Sequence, residues 1–177
     1  MNRFIFGLLL FTLGFANGCR STSKLEVVKD FDIDRYAGVW YEAARYPHHF
    51  EKGLTSVTAE YSLNENGTIK VLNRGFNAAD REWEQVEGIA KFKDDPTRGW
   101  LKVSFFGPFF ASYKILHLDD DYTEAIITGP NYNYLWILVR DPAVSETRLG
   151  ELVSMAAAFG FETNQMQFVE HTIRDHP

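Results

Sequence analysis

The chain has 177 residues, 45% of them hydrophobic and 15% aromatic, with a formal net charge of −6 at pH 7. That length buries one full core, whereas two independent domains would be unusually small. The acidic balance, unrelieved by any basic stripe, excludes nucleic acid, whose phosphates demand a basic surface; 15 Phe, 8 Tyr and 4 Trp suit strands around a wide apolar interior better than a helical bundle.

Residues 1–18 read as an export signal. Arg3 gives the positive start, and an apolar run over 4–15, interrupted by Gly7, Thr12 and Gly14, leads to small residues and Cys19. The run is too short for the ~20 residues a membrane-spanning helix needs. Cys19 is the sole cysteine, so no intramolecular disulfide forms in a chain that leaves the cytosol. Ala16-Asn17-Gly18-Cys19 resembles the lipobox of bacterial lipoproteins, which implies cleavage before Cys19 and acylation there. Arg20 after it implies sorting to the outer membrane. Residues 19–30 then form the lipidated N-terminus and a short polar tether, and 31–177 the folded domain.

A turn at 32–37 leads through Gly38 into the first strand, where β-favouring side chains run from Trp40 until Pro47 stops them. A large Trp just after a Gly at the start of the first strand is suited to plug one end of a curled sheet. Beyond a loop at 47–53, residues 55–63 alternate, Asn66-Gly67 makes a hairpin turn, and 69–76 follow as the next strand. Strands at 83–92, 101–105, 110–118, 122–128 and 134–139 complete a set of eight, each joined to the next by a short connection. Such an antiparallel up-and-down meander removes its exposed edges by closing into an all-β barrel just wide enough for packed side chains or one small ligand. Ser145 is the N-cap expected for a helix over 146–159, whose stripe of Leu149, Leu152, Val153, Ala156 and Phe159 packs on the outside of the barrel. One further short strand is expected within 167–173.

Gly38-x-Trp40 at the first strand, Asp121-Tyr122 opening the seventh and Arg140 just after the eighth resemble the three signature regions of the lipocalins. The runs Tyr36-x-Gly-x-Trp-Tyr-Glu, Lys102-Val-Ser-Phe-Phe-Gly-Pro-Phe109 and Gly129-Pro130 ahead of Tyr134-Leu-Trp-Ile-Leu138 sharpen this to the bacterial lipocalins, the branch similar to apolipoprotein D. The resemblance implies that Arg140 packs across Trp40 at the closed end and that these signature residues are structural. It further implies a lipid-anchored outer-membrane protein, on the periplasmic face, that binds fatty acids or lysophospholipids and serves envelope maintenance or stress.

Alternation places Val57, Ala59, Tyr61, Ile69, Val71, Val86, Ala90, Leu101, Val103, Phe105, Tyr113, Ile115, Tyr134 and Trp136 inside, with Lys70, Lys102 and Lys114 on the other face. Small residues at Ala59, Gly88 and Ala90 are expected to leave space for an acyl chain, and Arg45 and Arg74 are the candidate partners for its carboxylate or phosphate. The odd connections ring the mouth, where Gly107-Pro108 is flanked by Phe105, Phe106, Phe109 and Phe110. This lip would cover an apolar ligand, touch the membrane, pair two copies through 106–110, or pack on itself.

No cofactor is expected. His48, His49 and Glu51 are a poor metal set, because adjacent histidines diverge on an extended loop. Neither a Gly-x-Ser-x-Gly elbow nor a phosphate loop is present, so a binding protein is favoured over an enzyme. A small lipid-modifying enzyme and a protein-docking envelope factor remain as alternatives.

Overall fold

The computed structural model describes residues 20–173, so the export signal and Cys19 lie outside the described residues. Eight strands follow in order: β1 (Gly38–Arg45), β2 (Leu54–Leu63), β3 (Ile69–Asn77), β4 (Glu82–Phe92), β5 (Trp100–Ser104), β6 (Ala111–Leu118), β7 (Glu124–Thr128) and β8 (Leu135–Val139). Each is antiparallel to the next, and β1 pairs with both β2 and β8, closing the barrel. The expected turn at 32–37 contains a single helical turn, α1 (Ile33–Tyr36), capped by Asp32, whose carboxylate accepts from the Asp34 N–H.

The pleat sorts the apolar residues into two cores. Inside lie Trp40, Tyr61, Ile69, Val71, Leu101, Ile115 and Ile127; outside, Ala44, Ile126, Ile137 and Val139 meet Leu152 and Ala156 of helix α2 (Glu146–Ala158). Each fully buried aliphatic side chain contributes roughly 1.5–3 kcal/mol, enough to fix the register by itself. Ser145 caps α2 as expected, its hydroxyl accepting from the Arg148 N–H at 3.2 Å, and the Arg148 guanidinium reaches the Glu124 carboxylate of β7 at 2.6 Å. Among the described residues no helix is long and apolar enough to cross a membrane.

Two segments differ from expectation. The stretch 167–173 pairs as a strand only over β9 (Gln167–Phe168), which lies against Ala44 and Arg45. Its continuation fills a seam: β1 shifts register between Glu42 and Ala44 and its pairing with β2 ends at Tyr41, so the Ser56 N–H donates instead to the Glu170 carbonyl at 2.8 Å.

The other is residues 20–30, expected as a free polar tether, which run along the outer wall. Arg20 stacks 3.9 Å over the Tyr132 ring, the Thr22 hydroxyl donates to the Gly129 carbonyl at 2.7 Å, Val28 N–H donates to the Ile115 carbonyl at 3.0 Å, and Phe31 N–H donates to the Thr97 carbonyl at 2.9 Å. Gly99 is what lets this strap lie flat, since a Cβ there would stand 2.6 Å from a Val28 methyl. The strap also buries Lys114, expected on the exposed outer face: its ammonium donates to the Thr22 carbonyl at 2.7 Å and lies 4.1 Å from the Trp100 ring.

Candidate functional site

The floor of the barrel is tied by side chains far apart in sequence. Gly38 adopts φ 94°, a conformation costly for other residues, which brings the chain under Arg140. The Arg140 guanidinium sits 4.0 Å over the Trp40 ring and donates to the carbonyls of Val39 at 2.6 Å, Ala37 at 2.8 Å, Tyr36 at 3.0 Å, Arg35 at 3.1 Å and Tyr122 at 3.3 Å. The Trp40 indole N–H donates to the Tyr36 carbonyl at 2.8 Å. Gly38, Trp40, Tyr122 and Arg140 thus meet in one place. Asp121 is exposed beside them, and the carboxylate that ties its turn is Asp119, which accepts from the Thr123 and Glu124 N–H groups at 2.7 and 2.6 Å.

Just above, three phenols share hydrogen bonds. Tyr113 Oη lies 2.7 Å from Tyr36 Oη and 2.9 Å from Tyr61 Oη. Burial pushes Tyr61 up to about 12 and holds Tyr36 and Tyr113 well above the ordinary phenol value, so all three stay neutral. The walls around them are apolar. Val57 faces Gly75, Val103 is buried, and Phe105 lies on Gly88 so closely that a Cβ there would stand 2.7 Å from its ring. Gly88 therefore does not leave the space expected of it, because Phe105 fills it. Space remains elsewhere: Ala59, Asn73, Tyr113 and Trp136 point inward yet are only half-buried, and Val86 keeps 36% of its surface exposed.

Towards the mouth the lumen carries charge. Glu42 follows Trp40 by two and faces in; the bulge after it turns Arg45 inward as well. Arg45 Nη1 donates to Glu42 Oε1 at 2.6 Å and Nη2 to the carbonyls of Glu51 and Leu54 at 2.8 and 3.0 Å, while its Nε is buried without a hydrogen-bond partner. Trp136 Nε1 donates to Glu51 Oε2 at 3.3 Å. Burial, reinforced by Glu51, raises Glu42 to about 8 against the pull of Arg45, and burial raises Glu51 too. His48 packs its ring 4.5 Å from Trp136 and 5.3 Å from Tyr134; burial and then Arg45 lower it to about 4, so it is neutral.

Val57, Ala59, Tyr61, Val103, Phe105, Tyr113, Tyr134 and Trp136 accordingly line one lumen. Arg45 shares it, with most of its donors already engaged. Arg74 does not: Val71, Asn73 and Gly75 take the inner face of β3, so Arg74 points out and pairs with Glu60 at 2.9 Å. Among the residues that alternation did not assign to the interior are Asn73 and Ile127 on the walls and Tyr36, Glu42, His48 and Glu51 at the two ends. Glu42 was legible, since it shares the phase of Trp40; His48 and Glu51 come in only because 47–53 folds back over a 3-10 turn at His49–Glu51. At the rim Phe106 and Phe109 are 79% and 80% exposed, and Phe50 61%. They do not pack on one another.

A family model described as a lipocalin-like domain matches residues 31–171. Outer membrane lipoprotein Blc of Vibrio cholerae serotype O1 is 45% identical over 156 residues, covering 87% of this chain and 91% of that protein. Apolipoprotein D of Rattus norvegicus is 38% identical over 123 residues, covering 66% and 64%. Among solved structures, insecticyanin of Manduca sexta matches with a TM-score of 0.70 at 19% identity, covering 86% of this chain and 87% of that one, a likeness of fold alone.

Proposed function

The chain belongs to the lipocalin family, and from that premise we propose that it is a lipid-binding outer-membrane lipoprotein whose cargo is a single-chain lipid. The observation that carries this reading is the mostly apolar lining: the inward Ala59, Tyr113 and Trp136 stay half-buried above a sealed floor. An acyl chain entering there gains ~25 cal/mol for each Å² of apolar surface removed from water, but a bilayer offers it a comparable home. Net capture from a membrane is therefore modest, and fatty acids and lysophospholipids, which leave bilayers more readily than two-chain lipids, are the favoured cargo. The polar layer of Glu42, Arg45, Glu51 and Trp136 meets the end of the ligand nearest the mouth.

In this reading cleavage before Cys19 and acylation of that residue hold the protein on the periplasmic face of the outer membrane, several acyl chains at ~0.8 kcal/mol per buried CH₂ giving permanent attachment. Envelope maintenance under stress is the role that such a protein suits. Native mass spectrometry of the protein offered fatty acids, lysophospholipids and diacyl phospholipids together tests the cargo. Selective retention of single-chain lipids is expected, with Trp136→Ala and Tyr113→Ala retaining less; an empty barrel against all three classes overturns it.

A further inference from the structure

The strap 20–31 has a direction. Phe31 is fixed at the closed end, to the β4–β5 turn through the Thr97 carbonyl, whereas Arg20 is fixed at the open end: Tyr132 N–H in the β7–β8 connection donates to the Arg20 carbonyl at 2.9 Å, and an Arg20 Nη donates to the Gly160 carbonyl at 3.3 Å. Cys19 is the next residue, one peptide unit or about 3.8 Å away. The described chain thus enters its strap at the rim of the mouth, and the strap leaves no slack between an anchor on Cys19 and the barrel.

Two independent features of the rim agree with a lipid surface. The first is the exposure of Phe106 and Phe109 in the β5–β6 connection and of Phe50 in the β1–β2 connection, side chains that cost free energy in water and sit well at a bilayer interface. The second is charge. The closed end carries Asp94 and Asp95 in one turn with Lys93 and Arg98, Asp119, Asp120 and Asp121 in the next, and Asp34 beside Arg35, an excess of acid that an anionic surface repels. The β5–β6 and β7–β8 connections hold no acid; the rim's acids are Asp80, Glu82 and Glu84 around the β3–β4 connection, the buried Glu51, and Glu162 beyond α2, beside Tyr46.

We propose that the barrel lies mouth-down on the bilayer, tilted so that Phe106, Phe109 and Phe50 contact lipid, with residues 20–31 as the strut that sets this pose. The inference rests on the anchor at Cys19 proposed above. It gives cargo a path between membrane and lumen that crosses little water.

Because Cys19 is the only cysteine and acylation blocks its thiol, a cysteine introduced elsewhere in the full acylated chain is a unique labelling site. Spin labels at Phe109→Cys and, as the opposite pole, Asp120→Cys are read in vesicles of phosphatidylethanolamine and phosphatidylglycerol. Oxygen is expected to relax the label at 109 more than a water-soluble nickel chelate does, with the reverse order at 120. A label at 109 as chelate-accessible as that at 120, on protein that floats with the vesicles and carries the acyl mass, overturns the pose alone. Protein without the acyl mass overturns the anchor and the pose together. Dipolar broadening between labels at 109 means that a second copy, not lipid, covers the lip, and also overturns it. A Gly-Ser linker inserted between Cys19 and Arg20 is expected to weaken the lipid signature at 109 while leaving flotation intact; an unchanged signature removes the strut from the proposal.

Discussion

The two ends of the barrel solve opposite problems with similar residues. At the floor an arginine, a tryptophan and tyrosines are brought together so that every strong donor is used: Arg140 serves five carbonyls and Trp40 a sixth contact to Tyr36. At the mouth an arginine, a tryptophan and a histidine are also brought together, but Arg45 Nε and His48 Nε2 are left without hydrogen-bond partners, and two carboxylates are held at raised proton affinity. Satisfied donors make a rigid plug. One unpaired guanidinium N–H and one unpaired imidazole nitrogen, beside the lumen, make a surface that still has bonds to offer a ligand.

Breaking the floor should cost most. Trp40→Ala removes the largest fully buried side chain from beneath Arg140 and is expected to lower stability by about 3–5 kcal/mol in urea denaturation. Arg45→Met attacks the mouth instead, leaving the Glu42 carboxyl and the Glu51 and Leu54 carbonyls without their donor, at roughly 1–3 kcal/mol. Adding Glu42→Gln to it should return part of that loss, whereas no such rescue is expected at Trp40.

A pH series sharpens the contrast, since the floor holds no group titrating near neutrality and the mouth holds several. Glu42 keeps its proton more tightly folded than unfolded, so its contribution is full below its ordinary value of 4.5 and is lost as pH rises through about 8. His48 runs the other way: held at about 4, it favours the fold above its ordinary 6.5 and loses that contribution as pH falls towards 4. Between 6.5 and 8 the glutamate slope is left, so melting midpoints should decline across that window, no more steeply than about 1.4 kcal/mol per pH unit for one proton. Glu42→Gln is expected to flatten the decline. The smallest effect belongs to the lip, where Phe106→Ser with Phe109→Ser should change stability by less than ~0.5 kcal/mol each while abolishing any lipid contact made there.

The same contrast explains what the sequence disclosed. The floor is written in residue types that alternation and spacing reveal: a Gly before a Trp, a Tyr opening one strand, an Arg closing another. The mouth depends on one bulge and one folded-back loop, neither of which has a local signal. After Ala43 the phase of β1 inverts, and His48 and Glu51 enter the lumen by tertiary contact with Trp136. Arg74 is different, because Ile69 and Val71 already set the phase that turns it outward to Glu60. The strap was missed because its composition is polar; the buried members Thr22 and Val27 are too few to form a pattern, and Gly99 gives no hint of what it makes room for.

Lys114 turns that strap into a chemical clock. Among the described lysines it alone is buried, its amine shut beneath the Thr22 carbonyl and lowered in proton affinity by burial and by Lys93. An acylating reagent therefore modifies the other lysines at once and Lys114 only when residues 20–30 lift away. The lag between the two rates counts how often the N-terminal segment lets go of the wall, residue by residue of chain that a bilayer anchor would otherwise pull upon.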